Sequence, residues 1–222
     1  MAEKSDPTRS GFSAPKMGPV QLSGGEVKDL CLRAARGAGL SWGLAEEAGF
    51  AARWLHERGL DGTRALLEHL EAGGASWPSA KLENGALLAT GTERLSPIVF
   101  GAALSDLATV TRDSLRANPI HQPVLLLPFL HLAAGTIDKN GTLAWEHRRV
   151  TVSSSGRLTG AVEKLAASET ADVSVSFSES VSGPDFKPSL PSALAHETIT
   201  RLNALAMETT VPATDTSRAD AG

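Results

Sequence analysis

Val173-Ser-Val-Ser-Phe177 alternates apolar and polar side chains without a break. A period of two is what a strand needs when one face of its sheet is buried and the other is wet. Both serines are therefore expected on the wet face. Upstream of this strand, from Pro97 onward, Ile98-Val-Phe100, Val124 to Leu127 and Trp145 to Val152 also read as strands, bounded by turn chemistry at Asp138-Lys-Asn-Gly141 and Ser155-Gly156. Downstream, past the loop from Gly183-Pro184 to Pro188, the apolar positions Leu194, Ile199, Leu202 and Leu205 predict a closing helix from about Ser192 to Met207.

The first third has a different period. Ser23 and Glu26 form a capping box ahead of Val27, Leu30, Cys31, Ala34 and Ala38, which fall on one helical face; Asp29 and Arg33 can pair on another. Gly37 and Gly39 stop this helix. Ser41 can cap a second helix that runs to about Arg58 with Leu44, Ala48, Ala51 and Leu55 inward. Asp61 can cap a third, with Ala65, Leu66, His69 and Leu70 on its inner side and Gly73-Gly74 as its end. Residues 74 to 96 read as a long connection, with a hairpin signal at Asn84-Gly85. The expected fold class is α+β: an N-terminal three-helix unit packed on a mostly antiparallel sheet, with a C-terminal helix. Residues 1–19 read as a flexible leader and 20–208 as one domain, helical over 23–73, strand-rich over 97–180 and closed by a helix within 190–208; residues 209–222 read as a polar tail.

Composition removes whole classes of chemistry. Among 222 residues there is no Tyr and one Cys, Cys31, which excludes tyrosine acids and nucleophiles, intrachain disulfides, and Cys-rich zinc or four-Cys iron–sulfur sites within one chain. Cys31 on the apolar face of the first helix reads as a small buried hydrophobe. Lys+Arg 21 against Asp+Glu 25 gives a net charge of −4, which disfavours general nucleic-acid binding. The most apolar stretch, Pro123 to Ala134, is broken by Pro128 and His131 and falls short of the roughly 20 residues that a bilayer span needs. No signal-peptide core is present. A cytoplasmic protein without a membrane partner is expected, and a homo-oligomer is compatible with the sequence.

The segment Arg33 to Gly49 holds the densest group of polar candidates. Ser41 and the free N–H groups of the second helix's first turn can hold a carboxylate or phosphate, with Arg33 or Arg36 adding charge and Trp42 an aromatic face. Glu46 and Glu47 are the candidate acid/base groups. On the structural reading Ser41 merely caps, Arg36 complements the end of the first helix and Trp42 is core. Gly49 with Ala45 and Ala52 makes a smooth strip that invites a close neighbour. The histidines at 56, 69, 121, 131, 147 and 196 form no short-spaced pair; no metal site is assigned, and a site assembled from distant histidines stays open. His131 reads as a core histidine and His147 as lying on a strand. No cofactor motif is present; Arg36-Gly-Ala-Gly39 follows a helix and so fails the dinucleotide pattern.

The block Ala34-Ala-Arg-Gly-Ala-Gly-Leu-Ser-Trp-Gly-Leu-Ala-Glu-Glu-Ala-Gly49, with Thr209-Thr-Val-Pro-Ala-Thr214 and Ser217-Arg218, resembles a bacterial family known as a domain of unknown function. The resemblance implies that the Arg36–Glu47 corner and the tail near Arg218 are shared features, and it adds Arg218 to the candidate ligand-binding residues. A fainter likeness, over Gly39 to Gly73 with Ala45-Glu-Glu-Ala48 and Gly59-Leu-Asp-Gly62, is to the helical N-terminal part of the malate/L-lactate dehydrogenases that lack a Rossmann fold; no activity follows from it.

Two functions stand side by side. One is binding or transformation of a small anionic, carboxylate-bearing metabolite by Arg33, Arg36, Ser41, Trp42 and Arg218, with Glu46 or Glu47 as acid/base. The other is a non-catalytic subunit that docks on a partner enzyme through the Ala45/Gly49/Ala52 strip and the tail. Helix–turn–helix DNA binding is a remote third, since Glu46, Glu47 and Glu57 oppose Arg53 and Arg58 on the second helix.

Overall fold

The capping box at Ser23 forms as the sequence predicts. In the computed structural model Ser23 N–H donates to Glu26 Oε2 at 2.7 Å and Glu26 N–H to Ser23 Oγ at 3.3 Å, opening α1 (Gly24–Gly37). Ser41 Oγ accepts Leu44 N–H at 3.4 Å ahead of α2 (Trp42–His56), and Asp61 Oδ1 accepts Arg64 N–H at 3.1 Å ahead of α3 (Gly62–Gly73). Each cap satisfies a donor the helix cannot satisfy itself. The structure describes residues 18–77, 80–83, 86–89, 94–109, 115–181, 183–187 and 193–208. Asn84-Gly85, most of the leader and the tail from 209, with Arg218, lie outside them.

Beyond α3 the chain forms β1 (Ala80–Glu83), β2 (Ala86–Ala89), α4 (Pro97–Leu107), β3 (Leu115–His121), a 3-10 turn (Pro123–Leu126) running into α5 (Leu127–Thr136), β4 (Asn140–Trp145), β5 (Arg148–Val152), β6 (Leu158–Gly160), α6 (Val162–Ala166), β7 (Thr170–Ser178) and α7 (His196–Met207). The sheet order is β1-β2-β3-β7-β4-β5-β6. Among these pairs β2–β3 is parallel and the others are antiparallel, so the arrangement is α+β with a mostly antiparallel sheet. β7 keeps the alternation read from its sequence: Val173 and Val175 are buried, Ser174 is half-buried and Ser176 is exposed. One face of the sheet (Leu115, Ala117, Leu143, Trp145, Val150, Val173, Val175) shares a continuous core with Ala48, Leu55, Ile98, Phe100, Leu127 and Phe129 from the helices. Helix α7 returns to lie against α1, and Val20 pairs with Leu194 just before it. None of the described helices is long and apolar enough to cross a membrane.

Three strand readings are corrected. Ile98-Val-Phe100 lies inside α4, where Ser96 Oγ accepts Val99 N–H and Pro97 occupies the first turn; the half-buried positions of this helix are mostly apolar too (Val99, Ala102, Ala103, Leu107), so it carries no polar stripe and its period is invisible. Val124 to Leu127 is the 3-10 turn and the start of α5 for the same reason. Trp145 to Val152 is a hairpin: β4 ends at Trp145, Glu146 (φ 47°) and His147 make the turn, and β5 begins at Arg148. His147 is thus in an exposed turn, not on a strand.

The Ala45/Gly49/Ala52 strip is filled from within. All three residues are buried, and a Cβ on Gly49 would lie 2.8 Å from Lys28 O and 3.2 Å from Leu32 Cβ, both on α1. The close neighbour that the small residues admit is the first helix itself.

Candidate functional site

Helix α3 turns Leu66, His69 and Leu70 to one side at i, i+3, i+4 spacing, which carries His69 into the interior. Strand β3 ends with His121 on the same spot. The rings meet with Nδ1 to Nδ1 at 3.4 Å, and Trp77 stacks on both, 4.7 Å from His69 and 5.4 Å from His121. On its far side His69 Nε2 lies 3.0 Å from Ser96 Oγ, the cap of α4. Ser96, His69 and His121 are 3 %, 0 % and 3 % exposed.

The chain closes in either of two proton orders. Ser96 Oγ accepts Val99 N–H and, with a second lone pair and a rotatable hydrogen, can either donate to His69 Nε2 or accept from it; His121 Nδ1 then accepts from or donates to His69 Nδ1, and His121 Nε2 is correspondingly a donor or an acceptor. Burial first, and the second ring next, lowers the His69 pKa from 6.5 to about 3. Burial, and then Arg94, also lowers that of His121, with Glu169 and Glu68 opposing. Both rings are therefore neutral at pH 7.

His121 faces a cavity of about 570 Å³ lined in part by Arg64, Glu68, Glu71, Arg94, Gln122 and Glu169, within the size range of small-molecule sites. Gln122 is 4 % exposed and left-handed (φ 49°), a conformation a non-glycine residue adopts only when its surroundings enforce it. Its N–H donates to Glu169 O and its Nε2 to Glu68 Oε2, each at 2.6 Å. Arg64 pairs with Glu68 at 2.9 Å, Glu71 with Arg201, and Arg94 Nη1 with Glu169 Oε1 at 3.0 Å. The same Glu169 oxygen is 3.9 Å from His121 Nε2, too far for a hydrogen bond. The arrangement can hold a ligand oxygen between a guanidinium and a neutral imidazole.

The Arg33–Gly49 corner is built differently. Arg36 Nη1 donates to Leu40 O in the turn between α1 and α2, and its guanidinium lies 4.8 Å above the ring of Trp42, which is 66 % exposed rather than core. Ser41 Oγ is engaged as the α2 cap. Arg33 Nε donates to Asp29 O at 3.4 Å, the backbone and not the expected carboxylate. Glu46 is exposed; Glu47 is half-buried, and its pKa is raised by burial first and then by the carboxylates of Asp106 and Glu46. The structure thus joins Arg36 with Trp42 and directs Glu47 towards other carboxylates. Cys31 is fully buried and burial pushes its thiol up to about 12, as its place on the apolar face implies. His131 is half-buried on α5, its Nδ1 3.5 Å from Ser153 O. Of the scattered histidines, 69 and 121 converge; the described residues hold no group of three or more His, Cys, Asp or Glu able to bind a metal.

Arg94, Gln122 and Glu169 carry no motif. The nearest signal is the polar His121-Gln122 pair set directly before an apolar run.

No curated protein matches the chain. Among solved structures, the crystal structure of malate dehydrogenase from Entamoeba histolytica is similar at 12 % identity and a TM-score of 0.43, over 64 % of this chain. The chain spans 45 % of that one, and a likeness of this size carries no argument about activity. The resemblance to a family of unknown function is carried by residues 22–118, which include the Ala34–Gly49 block, His69 and Ser96 and stop short of His121 and the tail, and which match the family described as "Protein of unknown function (DUF3726)".

Proposed function

We propose that this chain is a cytoplasmic bacterial protein of small-molecule metabolism that binds a small carboxylate-bearing metabolite in the cavity beside the histidine pair. The carboxylate is held by Arg94 and by the Nε2–H of His121. The observation that supports this reading is the pair at the wall of the polar cavity: a neutral imidazole, positioned by a buried serine and a second buried histidine, next to a guanidinium with nearly half its surface free. With its proton on Nε2 the ring is a neutral donor that recognises an oxygen acceptor, and in a catalytic setting it polarises a carbonyl without carrying charge.

Thermal shift and titration calorimetry with acetate, propionate, succinate and glutarate test the reading. Binding is expected in the native protein and is weakened about ten- to hundredfold by Arg94→Ala, the range for loss of a charged hydrogen bond. Arg36→Ala leaves it unchanged. Carboxylate binding that survives Arg94→Ala and is lost in Arg36→Ala would move the site to the α1–α2 corner. A second reading, a non-catalytic subunit docked on a partner enzyme, draws on the exposure of Trp42; Trp42→Ala is then expected to abolish co-purification of one stoichiometric enzyme partner from the native host.

A further inference from the structure

We propose that the ligand carries an ammonium group beside its carboxylate, so that its class is that of the free amino acids, and that Glu169 selects it. This rests on the carboxylate reading above.

The charges around the cavity lead there. Its described side chains include two guanidiniums, Arg64 and Arg94, against three carboxylates, Glu68, Glu71 and Glu169. Glu68 is taken from both sides, by Arg64 and by Gln122 Nε2. Glu71 is taken by Arg201, which reaches in from α7. The remaining pair, Arg94 with Glu169, is the one beside His121. The Glu169 side chain is 71 % exposed, and an exposed ion pair of this kind adds little to stability and exchanges readily. Glu169 sits where a ligand carboxylate would sit, against the Arg94 guanidinium and within 3.9 Å of His121 Nε2.

Displacement has a consequence for charge. When a ligand carboxylate takes Arg94, Glu169 loses its cation at the edge of a cavity where Arg64 and Arg201 are already engaged by Glu68 and Glu71. A plain mono- or dicarboxylate adds negative charge and leaves Glu169 facing it, a like-charge juxtaposition that opposes binding. A zwitterion exchanges charge for charge: its carboxylate replaces Glu169 on Arg94 and accepts from His121 Nε2–H, while its ammonium donates to the released Glu169 carboxylate. With its proton on Nε2, the tautomer that the carboxylate reading uses, His121 is a donor only and cannot serve the ammonium.

Calorimetry on the full chain at pH 7 and low salt, with the pairs L-alanine and propionate, L-aspartate and succinate, and L-glutamate and glutarate, tests the inference. In the native protein the amino member of at least one pair binds about fivefold tighter or more than its partner. In Glu169→Gln, a change at an exposed side chain, the ratio falls to near one and the plain carboxylates bind as well or better. Equal or tighter binding of the plain acids by the native protein, or a ratio that Glu169→Gln leaves intact, overturns the inference. If carboxylates bind and lose affinity in Arg94→Ala yet show no amine preference, the inference fails and the carboxylate reading stands. No binding of any of the six to either protein removes both.

Discussion

Acidification from pH 7 to pH 4 is expected to lower the unfolding free energy by about 3 kcal/mol through His69 alone. The folded-state pKa of this ring is lowered from 6.5 to about 3 by burial and by its neighbour. The unfolded chain therefore binds a proton below pH 6.5 that the folded one refuses. Stability from this group is present in full above pH 6.5 and is lost progressively as the pH falls towards 3. His121 and His131 are lowered as well, chiefly by burial, and act in the same direction. Urea denaturation at pH 7, 5.5 and 4 measures the slope, and His69→Gln, whatever it costs at pH 7, flattens it. An unchanged slope in that variant would show that the loss comes from other groups.

Phe129→Ala is expected to cost about 3–5 kcal/mol, the range for a fully buried aromatic, and its coupling to Gly101 makes the expectation specific. Phe129 on α5 is wholly buried and meets Phe50 edge-on at 6.3 Å. It lies so close to α4 that a Cβ on Gly101 would stand 2.2 Å from its Cδ2. Gly101→Ala alone thus forces the ring out of place, at about 1–3 kcal/mol for an overpacked core. With Phe129→Leu or Phe129→Ala already in place, the added methyl enters space the ring has vacated and costs less or stabilises. A denaturant double-mutant cycle reads this as a non-additive coupling. Additive penalties would mean that the two helices do not meet through this pair.

Both expectations turn on groups far apart in the chain, and that is where the sequence is least legible. The three N-terminal helices are readable because their caps are local: Ser23 with Glu26, Ser41 with Leu44 and Asp61 with Arg64 each close over three residues. Strand β7 is readable because one of its faces stays wet. The inward side of α3 is readable too, so that His69 is placed correctly from spacing alone. Its partner is not. His121 lies 52 residues further on, at the end of a strand interrupted by Pro119 and by a register shift between Ala117 and Ile120, features that mask an alternating pattern.

The Arg33–Gly49 corner stands out in the sequence because its polar residues are adjacent in the chain, but adjacency along a helix–turn–helix is also what capping requires. There Ser41 holds a helix N-terminus and Arg36 braces the turn that joins α1 to α2 through Leu40 O. By itself the sequence determines the α+β class, the three capped helices, the alternating strand and the burial of Cys31, since each depends on contacts within one or two turns or on a single period. Only the tertiary structure decides that Ile98-Val-Phe100 and Val124 to Leu127 are helical, because segments that are apolar at every position display no period. The structure alone also brings Ser96, His69, His121, Arg94 and Glu169 to one cavity, because that convergence depends on how α3, α4 and the loop before β7 pack around the end of β3, which no local pattern encodes.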